Sequence, residues 1–542
     1  MGGHSKRGNG ISRRSLLQGT VAGAVACGLG SSRAWPATAA PVAQTTSGMV
    51  RGTAESGVYV FRGIPYAAST AGAHRFLPPQ SPTPWTGVRD ASKYGPMSVQ
   101  RGYEGNRTEE MRVIRNGYLS PETHQSSEDS LVLNVWAPAF DGRKRPVMFW
   151  CHGGGFRWGM GDYPWSDGAN LARKHDVVVV TVNHRLGVFG FLYLAELGGE
   201  RFADSGNLSM LDLVAALRWV RDNIAGFGGD PNNVTAFGVS GGAYKVSTLL
   251  AMPATRGLIH KAIAQSGSLL KAASLQDATD VTRQLTAQLG LKNGEIARLQ
   301  QIPARTILDA VDKLGGAVDF EPVVDGRSLP THPFDPVAPA ISATVPMIIG
   351  TTHDEGRISG LAHTELFSLD TAGLRTAVQK LGVPDGNIDA LIKAYGTTRA
   401  GQTPSDIYFA IASDTWIRKA AITQAERKAA QGGAPVYMYL FNRPIPNSRY
   451  KAGHTVEVPF VFDNVDFAPG VRGVPQDPRD YELARNMSSA WAAFAHSGNP
   501  SHAGIPRWQP YETQQRTTLV FDYQCRAEND PMASDREALR LI

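Results

Sequence analysis

Residues 236 to 246 read AFGVSGGAYKV, and Gly238-Val239-Ser240-Gly241-Gly242 within them is a G-x-S-x-G pattern. That pattern places a serine on a tight turn between a strand and a helix, with glycines two positions to either side where backbones pass too close for side chains. By itself it is weak, since a chain with 58 glycines also makes such a stretch as an ordinary flexible loop. Its neighbours decide. Upstream, NLSMLDLVAALRWVRDNIAGF has apolar residues at helical spacing (Leu211, Val214, Ala215, Leu217, Trp219, Ile224), GGDPNN is a turn, and VTAFG a short strand.

Working outward, GVYVF (57 to 61) and LVLNVW (131 to 136) read as strands. RPVMFWCHGGGF and HDVVVVTVNHRLG carry continuous apolar runs ending in polar or glycine-rich turns, as buried parallel strands do. Downstream, TVPMIIGTTHDEG is a further strand and loop, APVYMYLFNRP (434 to 444) a strand, and ELARNMSSAWAAFAHSGNP a helix stopped by Gly-Asn-Pro. Helical periods fill about 273 to 318 and 366 to 430. Strand, helix, turn, strand, serine turn, helix is the order of an α/β-hydrolase: one mostly parallel sheet, flanked by helices, over residues 40 to 542. The helical insertions near 273–318 and 357–430 cover the sheet.

A serine becomes a nucleophile with a base, a group that orients the base, and donors aimed at the oxyanion. HGGGF (His152 to Phe156) follows a strand, where glycines turn backbone N–H groups into a cavity. In chain order a carboxylate and then a histidine should follow the serine; Glu355 ends the strand VPMIIG and its loop, and His454 lies in KAGHTVEVPFVF. Singly, Glu355 also reads as an exposed loop charge and His454 as a surface imidazole. Together, in order, they read as a triad.

The chain resembles the carboxylesterase type B, or cholinesterase-like, family of α/β-hydrolases, in its bacterial para-nitrobenzyl-esterase-like branch, from about residue 45 to the C-terminus. The likeness rests on FRGIPYA (61 to 67), RFLPP (75 to 79), SEDSLVLNVW (127 to 136), HGGGF, NHRLGVFGFL (183 to 192), the run from Gly206 to Gly242, QSGS (265 to 268), DEG (354 to 356), GHTVEVPFVF (453 to 462) and GNP (498 to 500). It implies Ser240 as nucleophile, His454 as base and then acid, Glu355 as its carboxylate, and the N–H groups of Gly154, Gly155 and Gly241 as oxyanion donors. The implied activity is serine carboxylesterase, with no metal and no organic cofactor. Lipase, lactonase, thioesterase and amidase share the triad, and a non-catalytic binding homologue shares the fold.

The chain departs from the family at several positions, and two of these sites bear on specificity. Val239 stands where the family commonly has Glu, or Gln in bacterial members. Arg157-Trp158 follows the oxyanion loop, where small or polar residues are frequent. Arg157 reads either as a surface residue, with Trp158 packed, or as a cation selecting esters whose acyl part bears a carboxylate. Ser130 replaces the cysteine of many animal relatives, Leu213 replaces a frequent glutamine and suits helix packing, and Glu128, Asp129 and Arg62 resemble structural ion pairs.

The N-terminus reads separately. Ser12-Arg13-Arg14-Ser15-Leu16-Leu17, a small apolar run and Ala37-Thr38-Ala39 form a twin-arginine export leader over 1 to 39, too short and too rich in Gly and Ala to span a bilayer. A lipid anchor at Cys27 is the alternative. Most of the formal charge of +6 comes from Lys6, Arg7, Arg13, Arg14 and Arg33, so no nucleic-acid partner is expected. With Cys151 and Cys525 alone beyond the leader there is neither a disulfide framework nor a zinc pattern. The expected partner is a small-molecule ester in the periplasm or outside the cell, and nothing in the sequence fixes an oligomeric state.

Overall fold

A computed structural model describes residues 40–101, 125–292, 294–315, 318–467 and 477–542. The leader and Cys27 lie outside the described residues. From Ala40 onward the chain is one compact unit.

Its spine is an eleven-stranded sheet. In chain order the strands are β1 (Thr53–Glu55), β2 (Val58–Pro65), β3 (Val132–Ala137), β4 (Arg145–Cys151), β5 (Val178–Val182), β6 (Gly229–Val239), β7 (Lys261–Gln265), β8 (Met347–Thr352), β9 (Val436–Phe441), β10 (Thr517–Phe521) and β11 (Arg526–Asn529). They lie side by side as β11-β10-β9-β8-β7-β6-β4-β5-β3-β2-β1. The stretch from β5 to β10 is parallel throughout, and the strands at either end run antiparallel.

The apolar runs take this form because a parallel sheet buries both faces, while successive side chains point to opposite sides. On β4, Val147, Phe149 and Cys151 enter one core, and Met148 and Trp150 enter the other. Helices Leu208–Asn223 and Gly241–Leu249 close the first face with Leu213, Leu217, Val246 and Leu249. Helix Pro478–Ser497 closes the second with Leu483, Met487 and Trp491, and stops at Gly498 in the left-handed region (φ 78°). Burial of this area on two faces dominates the stability, at about 25 cal/mol per Å² of apolar surface.

Helices fill both expected insertions. Leu275–Gln288 and Ala304–Leu314 lie in the first. In the second, Thr371–Gln379, Ile388–Thr398 and Pro404–Ser413 build a separate small core around Leu374, Val378, Leu391, Tyr395 and Phe409. GGDPNN, read as a turn, belongs to β6, where the register with β4 slips between Gly229 and Val234. β10, β11 and a three-stranded sheet of Val42–Thr45, Gly48–Arg51 and Val88–Asp90 were not anticipated.

Strand order places the site. Gly238 of β6 pairs with Cys151 of β4, and Val239 with Gln265 of β7. The loops leaving the carboxyl ends of β4, β6, β8 and β9 therefore converge beside the point where the strand order reverses, the usual crevice of an open α/β sheet.

Candidate active site

Ser240 has φ 56° and ψ −123°, backbone that a β-substituted residue holds only under strain from its surroundings. Those surroundings are visible. A Cβ on Gly238 would lie 2.5 Å from Cys151 O, and one on Gly242 only 2.0 Å from the same oxygen. The serine turn is pressed against the end of β4, and only glycine fits on either side. Ser240 N donates to Gln265 O at 2.8 Å, and the half-buried residue heads helix Gly241–Leu249.

Opposite it, Gly154 and Gly155 have φ 96° and 62°, and a Cβ on Gly241 would meet Gly155 O at 2.0 Å and Gly155 N at 2.4 Å. The glycine loop and the first helical residue after Ser240 thus touch backbone to backbone. Among the described residues, the N–H groups of Gly154, Gly155 and Gly241 donate to no protein acceptor. Free donors at a helix N-terminus are what an oxyanion needs.

Glu355 and His454 come together across 99 residues of chain. His454 Nδ1 lies 2.5 Å from Glu355 Oε2, and Thr352 N–H donates to Glu355 Oε1 at 2.7 Å. A bridge between Asp354 and Gly453 fastens the two loops. Tyr450 OH donates to His454 O at 2.8 Å. The imidazole is therefore oriented by its carboxylate and by its own backbone. Ser240 Oγ makes no hydrogen bond to His454 in this structure; contacts of this kind often tighten only with substrate in place.

Residues missed in the sequence lie around this pair and beneath the glycine loop. Trp416, 42 % exposed on a π-helical turn over Asp414–Arg418, lies 4.7 Å from the His454 ring. Tyr395 OH and the Arg418 guanidinium hold the buried Asp414 at 2.6 and 2.9 Å, fixing that turn. Glu457 is buried three residues after His454, and burial, with the Glu355 charge second, pushes its carboxyl up to about 8. Lys245, also buried, follows Ser240 on the same helix. The charged residues Lys245 and Glu457 show in the sequence only as single charges within apolar or small-residue runs.

Of the residues named for specificity, Arg157 and Trp158 line a cavity beside the glycine loop and Val239 packs beneath that loop. Arg157 is ion-paired with Asp319 on an exposed surface, and the Trp158 ring lies over Gly154. Val239 is buried, with Cγ1 facing Gly153, so it packs beneath the glycine loop and lines no open wall. A cavity of about 390 Å³ beside that loop is lined by Trp158, Leu186, Leu308 and Phe320, with Arg101, Arg157 and Asp312 at its polar side. Leu213 is buried in the first core, as helix packing requires. Glu128 pairs with Arg75 and Arg62 with Glu55, each at 2.6 Å. Among the described residues no group of His, Cys, Asp and Glu side chains could hold a metal ion.

Serine turn, free glycine donors and an oriented imidazole at the carboxyl ends of a mostly parallel sheet define the class: an α/β-hydrolase fold with a serine-hydrolase type of site. A model of the carboxylesterase family matches residues 39–538. The para-nitrobenzyl esterase of Bacillus subtilis is 36 % identical over 507 residues, covering 92 % of this chain and 98 % of that one. Phenmedipham hydrolase of Pseudarthrobacter oxydans is 33 % identical, covering 93 % and 99 %. Among solved structures, a Geobacillus stearothermophilus carboxylesterase superposes with a TM-score of 0.80 at 39 % identity, over 92 % of this chain and 99 % of that one. The chain belongs to the carboxylesterase family and is a carboxylic ester hydrolase.

Proposed function

We propose that Ser240 is the acyl-accepting nucleophile, with His454 as base then acid, Glu355 as the carboxylate that holds the imidazolium, and Gly154, Gly155 and Gly241 as the oxyanion donors. The observation that carries this reading is the backbone contact of Gly241 with Gly155 at the strained Ser240 turn, with all three N–H groups left free. Ser240 Oγ adds to the ester carbonyl while His454 takes its proton. The alcohol leaves with that proton, and water activated by the same imidazole releases the acid. Glu355 accepts from His454 Nδ1–H and holds the imidazole in place through the cycle.

The substrates are small uncharged esters. Asp319 pairs with Arg157, which weakens the attraction for a carboxylate-bearing acyl group, and the relatives include proteins named para-nitrobenzyl esterase and phenmedipham hydrolase. The full chain should hydrolyse p-nitrophenyl esters of graded acyl length, and Ser240→Ala should abolish turnover; hydrolysis undiminished in Ser240→Ala would remove the nucleophile assignment. The leader supports export through the twin-arginine route. Lysine at both Arg13 and Arg14 should leave the activity in the cytoplasmic fraction, and unchanged export would reject that route.

A further inference from the structure

The helix headed by Ser240 carries a lysine where its surroundings are apolar or neutral. Lys245 is wholly buried, and its ammonium donates to His152 O at 3.1 Å. His152 immediately precedes Gly153, Gly154 and Gly155. A Cβ on Gly242 would come within 2.9 Å of that same carbonyl. The first turn of the helix and the lysine one turn later thus hold one segment, the root of the glycine loop, from the same side.

Among the described residues no carboxylate pairs with the ammonium. The end of β4 supplies Cys151, whose buried thiol is pushed up to about 12, and His152. The loop after β5 supplies His184, stacked on His152 with ring centroids 4.6 Å apart and planes 8° from parallel. Burial, and then the Lys245 charge, keeps both imidazoles neutral, and among the described residues the Nε2 atom of each has no partner. Arg185 of that loop is turned to Asp212 of helix Leu208–Asn223 at 2.6 Å, so that carboxylate is already engaged. The remainder of helix Gly241–Leu249 carries no other charge. Burial lowers the Lys245 ammonium to about 7.

A buried charge without a partner costs stability, and packing alone would favour methionine or leucine at this position. A cost of this kind is expected where function needs the group. We propose that Lys245 is a positioning residue for ester hydrolysis: its ammonium clamps the His152 carbonyl, sets the Gly153–Gly155 turn against Gly241, and places a buried positive charge behind the oxyanion donors. This rests on Gly154, Gly155 and Gly241 being those donors. The oxyanion exists only in the transition state and the tetrahedral intermediate, so the contribution falls on kcat and leaves substrate binding alone.

The test uses the full-length chain with Lys245→Met, which nearly preserves volume, and Lys245→Gln, which keeps a neutral donor. At pH 6.5 Lys245→Met should lower kcat about 10- to 100-fold, the span of a lost charge-assisted hydrogen bond, with KM nearly unchanged. Affinity for an alkyl boronic acid, which forms a tetrahedral adduct on the serine, should fall by a similar factor. Lys245→Gln should fall between the two. The methionine variant should melt no lower than the parent at this pH: a lysine depressed on folding costs stability below its folded value, and the cost fades only as pH rises from about 7 toward 10.5. Unchanged kcat and boronic acid affinity would overturn the proposal. A methionine variant that unfolds, or loses activity only in proportion to its folded fraction, would also overturn it, by making Lys245 structural. Ser240→Ala, run alongside, separates the two readings: turnover or boronic acid adduct formation surviving in that variant would reject the site assignment itself, whatever Lys245→Met does.

Discussion

Glu457→Gln should change the pH dependence of stability in a way the structure fixes in sign and size. Glu457 is fully buried, its Oε1 receives a long hydrogen bond of 3.4 Å from Gln265 Nε2, and the Ser266 hydroxyl is its other side-chain donor nearby, both too weak to offset the burial. Burial raises the carboxyl from 4.5 to about 8. Below about 4.5 folded and unfolded chains are both protonated and the group is neutral in its effect. As pH rises toward 8 the unfolded chain loses the proton while the folded one keeps it, so stability falls at about 1.4 kcal/mol per pH unit. Between pH 5 and 8.5 this amounts to about 4 kcal/mol. Glutamine does not titrate, and any cost of burying its amide is the same at both pH values. The stability of Glu457→Gln relative to the parent should therefore rise by about 4 kcal/mol from pH 5 to pH 8.5. Lys245 titrates in both proteins and cancels in the difference. Urea unfolding at the two pH values, with equal denaturant slopes, measures it. A relative stability that stays the same at both would refute the reasoning and show that the carboxylate is solvated or already ionised in the folded protein.

Two further outcomes follow from contacts at the serine turn and its flank. Gly242→Ala puts a Cβ 2.0 Å from Cys151 O, so the turn must move away from the glycine loop, and kcat toward p-nitrophenyl acetate should drop by at least about 10², the usual cost of one oxyanion donor. Because Asp319 already holds Arg157, Arg157→Ala should leave the ratio of kcat/KM for a neutral ester to that for a hemi-ester with a free carboxylate unchanged; a ratio shifted tenfold toward the neutral ester would show that Arg157 selects charge.

The fold was legible wherever burial on both faces forced a continuous apolar run, as in β4 and β5, or where glycine was the only residue that fits, as at Gly238, Gly242 and Gly154. Glu355 and His454 were legible through chain order and neighbouring motifs, since nothing local marks either residue as a partner of the other. The edges were less so. β10 and β11 are held by one another and by β9, and β11 is largely exposed, so no periodicity announces it. Trp416, Lys245 and Glu457 escaped notice for a different reason. An exposed tryptophan, a lysine and a glutamate are ordinary surface residues by type, and only tertiary packing makes them neighbours of the imidazole or puts them under the glycine loop. Arg157 shows the converse: its charge invites a functional reading, and only the tertiary structure shows that it lines the cavity while paired with Asp319, distant in sequence.

The central claim is that Ser240 is the residue acylated during turnover. Stopped-flow hydrolysis of p-nitrophenyl acetate by the full chain, quenched in acid and followed by peptide mass spectrometry, tests it directly. The account predicts a pre-steady-state burst matching the concentration of active protein and an acetyl group on the peptide containing Ser240, both absent from Ser240→Ala. A label on any other residue, or the same burst in Ser240→Ala, would contradict it.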